Sequence, residues 1–321
     1  MTVSYRLVIK RIGAMVKRLA VLMATYNGEK YIKEQIESIL NQDIHLDLTL
    51  IIRDDGSTDS TKNIIREYSD AGKLIFIEGQ NKGAARGFIS LLRDNPGYDY
   101  YAFSDQDDVW NDDKLQKGIR AISEINGPAL YCTNCELVDS NLNNIGRNTH
   151  RKKPHYTLES VLCLASCAQG CTSVFNKDLA SIVQDNDMPD VFIMHDSLLT
   201  CLCALIDGEI IYDDIPSMKY RMHEDNVFGM VSAKQNKFNV IIDRLNEITK
   251  KRKISMYDQA ESLLKVYKKY ISLENQDMCK LVIDAKTSIK ARFKLVFNRN
   301  LQHDTLNKTI TKKLEILFGN G

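Results

Sequence analysis

Three features that would narrow the function of this chain of 321 residues are missing. Charge of one sign is not in excess, since 43 Lys and Arg face 42 Asp and Glu and the formal net charge is +1. Because duplex-binding domains are normally strongly basic, this balance argues against a nucleic-acid partner. No apolar run approaches the roughly 18 to 20 residues that span a bilayer, and no signal-peptide segment opens the chain. We therefore expect a soluble, cytoplasmic protein.

The sequence also has little that would bind a structural metal through cysteine. It contains eight cysteines, among them the pair Cys132 and Cys135 and the series Cys163, Cys167 and Cys171. The pair falls inside an apolar β-like run, and the series has no second matching pair of ligands. A cytosolic protein also keeps its thiols reduced. We interpret these residues as core-type thiols.

What the sequence does contain is a regular alternation of β-like and helical patterns. With 44% hydrophobic and 26% charged residues, the chain is globular and long enough for one large domain or two small ones. The predicted order is strand 18–27, a helix at 32–40, strand 46–55, a helix through 64–68 with Ser57 or Thr58 as N-cap, strand 73–79, helix 83–94, strand 98–104, helix 112–125 and strand 128–138. This α/β order predicts a mostly parallel sheet with helices on both faces.

Two acidic clusters lie at the ends of predicted strands. The first is Asp54 and Asp55, and the second is Asp105, Asp107 and Asp108. Because ligands of parallel sheets bind beyond the carboxyl ends of the strands, we expect both clusters in one cleft. Repulsion among carboxylates there is unfavourable unless a cation or hydrogen-bond donors compensate. Mg²⁺ or Mn²⁺ would fit, since both prefer oxygen ligands and bind substrate phosphates as well.

Four segments of the sequence resemble a known family. They are "VLMATYNGEKYIKEQIESILNQ", "IIRDDGSTDST", "NKGAARGF" and "FSDQDDVW". Their order and spacing resemble the nucleotide-sugar motifs of family 2 glycosyltransferases, inverting enzymes of the GT-A fold. Downstream, "QGCTSVFNK" and "YRMHEDN" are similar to the branch that includes rhamnosyltransferases of bacterial surface polysaccharides. The resemblance implies a GT-A-type nucleotide-diphospho-sugar transferase fold and a UDP-sugar or dTDP-sugar donor.

The resemblance also implies which residues bind the donor. Thr25 and Asn27 would lie beside the nucleoside, and Asp55 would accept a hydrogen bond from the pyrimidine ring. Asp105 would approach the ribose. Arg86 would assist the diphosphate, although a solvated helix start is an alternative reading of its segment.

Three further residues would carry the chemistry if the resemblance holds. Asp107 and His223 would bind a divalent metal, Mn²⁺ or Mg²⁺, that bridges the diphosphate. Asp196 would be the general base, whereas taken alone it reads equally as a helix cap. Trp110 would flank the sugar or serve as a core aromatic residue.

The chain divides into three predicted regions. Residues 1–17 form an N-terminal extension, within which Met15 is an alternative start, and residues 18–226 form the catalytic domain. This domain consists of a nucleotide-sugar-binding half, 18–138, and an acceptor half, 139–226. Residues 227–321 form a basic helical region, with 15 Lys and Arg against 7 Asp and Glu from residue 251 onwards. These helices would rest on an anionic membrane surface, on the catalytic domain, or on a second subunit in a homodimer.

The sequence therefore predicts a metal-dependent inverting glycosyltransferase that acts in the cytoplasm or on the inner face of the cell membrane. It would move rhamnose or a related hexose to a glycan or lipid-linked glycan acceptor. A sugar nucleotidylyltransferase fits poorly, because it carries a glycine-rich basic loop where this chain has "TYNGEKY". A non-catalytic sugar-nucleotide-binding or scaffold protein remains the alternative.

Overall fold

The computed structural model describes residues 16–223 and 254–319. Residues 1–15 of the predicted extension and the start of the basic region at residue 227 lie outside these ranges. The strands are β1 (Arg18–Thr25), β2 (Asp47–Asp54), β3 (Ile75–Glu78), β4 (Tyr100–Ser104), β5 (Val109–Trp110), β6 (Ala129–Thr133), β7 (Glu136–Val138), β8 (Asn144–Asn148), β9 (Val174–Asn176), β10 (Glu209–Asp213) and β11 (Met218–Arg221). The α-helices are α1 (Ile32–Leu40), α2 (Thr61–Asp70), α3 (Ala84–Asp94), α4 (Lys114–Ile122), α5 (Leu158–Leu162), α6 (Lys177–Gln184), α7 (His195–Leu205), α8 (Met256–Tyr267), α9 (Leu273–Asp284), α10 (Ile289–Val296) and α11 (Leu306–Phe318).

Seven of these strands form one central sheet in the order β10-β6-β9-β4-β1-β2-β3. Strand β1 pairs in parallel with β2 and β4, and β2 with β3 and β6 with β10 pair in the same way. Strand β9 runs antiparallel to both of its neighbours, β4 and β6. A smaller sheet has the order β5-β11-β7-β8. The predicted mostly parallel sheet is confirmed.

Both faces of the central sheet are buried, and strand β1 shows why. Leu19, Val21 and Met23 lie in one hydrophobic cluster with helices α1, α2 and α4. Ala20 and Leu22 lie in the other cluster with helices α3, α6 and α7. Successive side chains of a strand point to opposite faces, so an uninterrupted apolar strand needs cover on both sides.

The predicted strand 128–138 is wrong, because the structure has two strands there. Strand β6 belongs to the central sheet and β7 to the smaller sheet. Asn134 lies between them, and its side-chain oxygen accepts hydrogen bonds from the backbone N–H groups of Cys135 and His150, at 3.0 and 2.9 Å. A side chain that binds backbone groups in this way replaces the strand ladder locally and turns the chain.

The predicted N-cap of helix α2 is also wrong. The helix begins at Thr61 with Ser60 at the N-cap position. Ser57 lies earlier in the turn, where its backbone N–H donates to Asp54 at 2.8 Å and its hydroxyl bonds to the same carboxylate. Asp54 therefore stabilises the turn that follows β2.

The thiols agree with the sequence prediction. All eight cysteines are free thiols and all but Cys167 are buried, which confirms the core interpretation. Among the residues described, no helix is long and apolar enough to cross a membrane.

Helix α8 of the basic region packs on the catalytic domain and supports helix α7. It begins with a capping box between Ser255 and Asp258. The side-chain oxygen of Gln259, 1% exposed, accepts from the backbone N–H of Ile193 at 2.9 Å and from the hydroxyl of Ser197 at 3.1 Å. Helix α8 therefore fixes the segment on either side of Asp196.

Candidate active site

Gln106 joins the loop after β1 to the loop after β4. The hydroxyl of Thr25 donates to the side-chain oxygen of Gln106, and the backbone N–H of Tyr26 donates to the same oxygen at 3.0 Å. The Gln106 amide donates back to the Tyr26 carbonyl at 3.2 Å. A Cβ at Gly28 would lie too close to the side-chain oxygen of Gln106, so a larger residue there would displace this side chain. The structure thus places Thr25 at the end of β1, as predicted. It also adds Gln106 to the residues that shape the site, although nothing in the sequence distinguished this glutamine from the aspartates beside it.

Asn27 joins the loop after β1 to the loop after β2. Its φ of 50° lies in the left-handed region, which asparagine tolerates better than most residues. Its side-chain oxygen accepts from the backbone N–H of Thr58 at 2.9 Å, and its own N–H donates to the Ser57 hydroxyl at 2.8 Å. Asn27 therefore shapes the rim of the cleft, and its nucleoside contact stays a prediction.

Asp55 is fixed by a buried ion pair at the end of β2. Its carboxylate, 4% exposed, accepts from the Arg53 guanidinium at 2.8 Å and from the backbone N–H of Lys82 at 3.3 Å. A carboxylate oxygen has two lone pairs, so these bonds leave capacity for a further donor. The geometry is compatible with the predicted pyrimidine contact.

Arg86 lies at the start of helix α3 and reaches the segment before α7. Its guanidinium donates to the Asp190 carbonyl at 2.6 Å and lies 5.6 Å from the ring centre of Phe192. These contacts hold α3 against the segment that leads to Asp196. The assistance to a diphosphate stays a prediction.

Three predicted carboxylates lie close enough to affect one another's charge. Burial, together with the negative charges of Asp107 and Asp196, raises the pKa of Asp105 to about 7. The residues come from the loop after β4 and from the N-terminus of α7. Negative charge is therefore crowded within the second predicted cluster, with Asp196 added to it, and a bound cation would relieve this crowding. The approach of Asp54 and Asp55 to this cluster stays a prediction.

Asp196 occupies the first turn of α7 and faces the turn before β9. One oxygen accepts from the backbone N–H of Gly170 at 3.3 Å, and the other accepts from the N–H of Ser197 at 2.6 Å. A Cβ at Gly170 would clash with the ring of His195, so glycine lets the backbone approach. The carboxylate is thus oriented by two N–H donors, which suits a positioned base as well as a helix cap.

Asp107 and His223 meet at the mouth of the same cleft. Their atoms Oδ2 and Nε2 lie 2.8 Å apart, and the side chains are 16% and 13% exposed. Arg221 holds both segments from beneath, since its guanidinium donates to the Asp107 carbonyl at 2.8 Å and to Glu34 at 2.5 Å. This side chain is 2% exposed and lies 4.3 Å from the ring centre of Tyr31. No pattern in the sequence pointed to this arginine.

The pair Asp107 and His223 fits a divalent cation. Two ligand atoms in adjacent positions of an octahedral ion lie about 3 Å apart, close to the separation observed here. A second group, Asp105, Asp108 and Cys171, has its ligand atoms within 4.8 Å of one another. It fits Mg²⁺ or Mn²⁺ less well, because a hydrogen bond with Cys135 and burial raise the pKa of the Cys171 thiol and hard ions prefer oxygen.

Two aromatic side chains near the site belong to the core. The ring of His195 is 3% exposed, stacks on Phe88 at 4.0 Å and meets the edge of Phe103 at 5.0 Å. Burial lowers its pKa, and neither ring nitrogen has a hydrogen-bond partner among the described residues. Trp110 is 3% exposed and packs beneath the buried Lys114, whose ammonium lies 4.3 Å from its ring centre. The core reading of Trp110 is confirmed.

Acidic loops at the carboxyl ends of a parallel sheet, facing a helix with an oriented carboxylate, define a GT-A-type glycosyltransferase. The family model described as "Glycosyl transferase family 2" matches residues 20–181, and the chain belongs to this family. Enzymes of this family transfer sugars from nucleotide-sugar donors.

Two curated relatives are bacterial glycosyltransferases. The dTDP-rhamnosyl transferase RfbG of Shigella flexneri is 32% identical over 218 residues, which cover 64% of this chain and 73% of the relative. The UDP-Glc:alpha-D-GlcNAc-diphosphoundecaprenol beta-1,3-glucosyltransferase WfgD of Escherichia coli is 30% identical over 156 residues, or 49% of this chain and 58% of the relative.

A solved structure supports the fold. The fragment 1–349 of TarS from S. aureus matches with a TM-score of 0.51 at 19% identity, covering 94% of this chain and 89% of that chain. Its complex with UDP-GlcNAc matches with a TM-score of 0.50. At this identity the likeness concerns the fold alone.

Proposed function

We propose that this glycosyltransferase moves rhamnose or a related hexose from a UDP-sugar or dTDP-sugar to a glycan acceptor in the synthesis of a bacterial surface polysaccharide. The observation that carries the proposal is the convergence of Asp105, Asp107 and His223 with the oriented carboxylate of Asp196. The dTDP-rhamnosyl transferase among the relatives supports the choice of sugar and nucleotide.

Asp196 is the base of the proposed reaction. It accepts the proton of the acceptor hydroxyl, whose oxygen attacks the anomeric carbon on the face opposite the nucleoside diphosphate. A single displacement inverts the anomeric centre. The N–H groups of Gly170 and Ser197 keep the carboxylate oriented through hydrogen bonds of 3.3 and 2.6 Å.

Asp107 and His223 are the residues that would hold Mn²⁺ or Mg²⁺. Such an ion supplies positive charge that stabilises the departing diphosphate. Imidazole suits Mn²⁺ better than Mg²⁺, whereas carboxylate suits both ions. Arg221 keeps the two side chains together by binding the backbone of Asp107 from the strand that precedes His223.

Donor turnover separates an enzyme from the alternative, a non-catalytic sugar-nucleotide-binding protein. We expect slow release of free nucleoside diphosphate when the protein is incubated with dTDP-rhamnose or UDP-hexoses and Mn²⁺, and almost none when EDTA replaces the metal. Release is measured by anion-exchange chromatography. Tight donor binding without any release, even with a range of glycan acceptors, would favour the binding protein.

Asp55 tests the pyrimidine contact. Asp55→Asn keeps the shape of the side chain and an oxygen for Arg53, but it removes the charge that accepts the ring N–H. We expect the preference for UDP over ADP to fall by about tenfold, which corresponds to one charge-assisted hydrogen bond. Calorimetry with both nucleotides measures the ratio, and a melting curve checks the buried pair. An unchanged ratio in a folded variant would remove Asp55 from base recognition.

Peripheral contact with an anionic membrane is a further part of the proposal, since a lipid-linked acceptor lies in a bilayer. Helices α10 and α11 each expose an apolar stripe opposite their buried face, and we name these the hairpin stripes. They consist of Ile289, Phe293 and Phe297, and of Leu306, Ile310, Leu314 and Phe318. Residues 286–319 carry eight Lys and Arg against two Asp and Glu. Such charge complements anionic lipid and would repel a second copy of the same surface in a homodimer.

Sedimentation with lipid vesicles tests this contact. Changing Phe293 and Phe297 together to serine should lower binding to vesicles that contain phosphatidylglycerol by about tenfold, because each ring loses buried apolar area. Ile215→Ser is the control, since Ile215 is an apolar residue, 63% exposed, that lies outside helices α10 and α11. An equal loss of vesicle binding in both variants would reject a role for the hairpin stripes in membrane contact. If instead the protein forms a concentration-dependent dimer and the serine changes disrupt it, the hairpin stripes contact a second subunit.

A further inference from the structure

A cavity of about 510 Å³ is lined by none of the residues predicted to bind the donor or the metal. Its walls come from the smaller sheet, the turn before β9 and the start of α11. The lining residues that matter are Arg147, Arg151, Gln169, Tyr220 and Lys308. The volume lies within the range typical of small-molecule sites.

The cavity is basic, and two of its cations are unpaired. Among the described residues, none forms a hydrogen bond or ion pair with the guanidinium of Arg147 or Arg151, and both side chains are exposed. Lys308 bonds to Asp304 at 2.9 Å, and Asp304 is the acidic residue of the lining. Three cations face one carboxylate, so the cavity favours an anionic ligand.

The acidic residue offsets only the charge of Lys308, its ion-pair partner, so the two arginines leave the lining with a net positive charge. The carboxylate of Asp304 is 3% exposed and bonds to the ring of His303 at 2.5 Å as well as to Lys308. Burial alone would raise its pKa, but the Lys308 hydrogen bond and the neighbouring positive charges keep that pKa below its usual range. The carboxylate thus stays ionised and directs Lys308 towards the cavity wall.

The same cavity borders the catalytic groups through two of its walls. Gln169 directly precedes Gly170, whose N–H binds the Asp196 carboxylate at 3.3 Å. Tyr220 directly precedes Arg221, whose N–H binds Asp108 at 3.2 Å. A ligand in the cavity would therefore contact Gln169 and Tyr220, each one residue away from a backbone N–H that binds Asp196 or Asp108.

We propose that this cavity binds a phosphate or diphosphate group of the acceptor, held by Arg147, Arg151 and Lys308. The assignment rests on the proposed function, because an acceptor substrate exists to fill the cavity only if the protein is a transferase. An arginine guanidinium can donate two parallel hydrogen bonds to two oxygens of one phosphate, and a lysine ammonium adds a positive charge. Two sources of such a group fit: the diphosphate of a lipid-linked glycan and the phosphodiester of an anionic glycan chain.

Calorimetry on the full chain tests ligand binding to the basic cavity while the donor site is already occupied. The protein is first saturated with UDP and Mn²⁺, so that neither probe competes for the donor site. Geranyl diphosphate is then titrated as the lipid diphosphate probe, and a glycerol phosphate trimer as the phosphodiester probe. We expect binding of geranyl diphosphate, of the trimer or of both, and the stronger probe identifies the source.

Paired variants show whether the cavity is responsible. Arg147→Gln together with Arg151→Gln should weaken probe binding by about tenfold or more, since two charge-assisted contacts are lost. Lys152→Gln together with Lys153→Gln removes the same charge from the same exposed segment and should leave probe affinity unchanged. The variant affinity should also depend less steeply on salt than the wild-type affinity.

Three outcomes would overturn the assignment. They are no binding of either probe to the UDP-saturated protein, equal losses in the two double variants, and an unchanged affinity in the arginine variant. None of these outcomes contradicts the proposed function, because the initial saturation with UDP tests the donor site separately from the cavity. Failure to bind UDP or any nucleotide sugar would instead count against the proposed function.

Discussion

Replacing Asp196 by asparagine should lower the rate of sugar transfer by about 10²- to 10⁴-fold, the usual loss when a positioned general base is removed. Asparagine keeps the size of the side chain and an oxygen that accepts from the N–H of Gly170 or Ser197, so the first turn of α7 should persist. It cannot take the proton of the acceptor hydroxyl. Transfer rate and donor affinity, measured on one preparation of the variant, give the result, and donor affinity should change little.

Asp178→Asn is the matched control for this experiment. Asp178 also lies in the first turn of a helix, α6, where the loss of a negative charge costs about 0.3 to 1 kcal/mol of stability. If both variants lose the same small amount of stability, and the Asp196→Asn variant transfers sugar at a near-normal rate, the carboxylate of Asp196 is only a helix cap. Since His195 is enclosed by Phe88 and Phe103, it offers no ready substitute for the base.

Replacing Asp107 by alanine should abolish the advantage that Mn²⁺ gives to nucleoside-diphosphate binding, a loss of about 10²-fold. Changes to residues that merely support a metal ligand cost about 10- to 100-fold in metal affinity, and removal of the ligand itself should reach the upper end. The fold should survive, because Arg221 binds the backbone carbonyl of Asp107 and not its side chain. Titration of UDP with Mn²⁺ and again with EDTA measures the difference.

Asp112→Ala is the control for the metal experiment. Asp112 is exposed and near in sequence, and its backbone carbonyl accepts a hydrogen bond from the N–H of Asp43 at 2.9 Å, a contact that alanine retains. The metal-dependent gain should therefore match that of the wild type. If Asp107→Ala retains the gain, the cation lies elsewhere, and the group of Asp105, Asp108 and Cys171 is the next site to examine.

The sequence predicted those parts of the fold that depend on local pattern. Strand β1 and helix α1 are long, and their apolar periods are regular, so each could be recognised from its own residues. Strand β9 has only three residues, Val174–Asn176, and its antiparallel place between β4 and β6 depends on distant partners. Strand β7 separates from β6 because the Asn134 side chain binds backbone groups 16 residues away as well as next to it. Such contacts have no local signature.

The same distinction holds for the site. The acidic residues after β2 and β4 could be placed at one edge of the sheet, because both strands run parallel to β1. The roles of Asp196 and His223 came from resemblance, since one helix-cap carboxylate and one histidine are weak signals alone. The supporting residues Arg221, Gln106 and Gln259 were missed, because each acts through partners between about 65 and 190 residues away in the chain.

The central position of β9 determines how acceptor specificity can be exchanged between relatives. The ring of Phe175 packs on Tyr101 and Phe103 at 5.7 and 5.1 Å, so the acceptor half supplies a strand in the middle of the donor half's sheet. A chimaera joined at residue 138 would replace that strand and mismatch its core. A graft of residues 139–157 would change only an edge strand and its flanking loops while carrying Arg147 and Arg151. If Arg147 and Arg151 bind the acceptor as proposed, this short surface segment, and not half of the catalytic domain, is the unit to exchange when acceptor preference is to be changed.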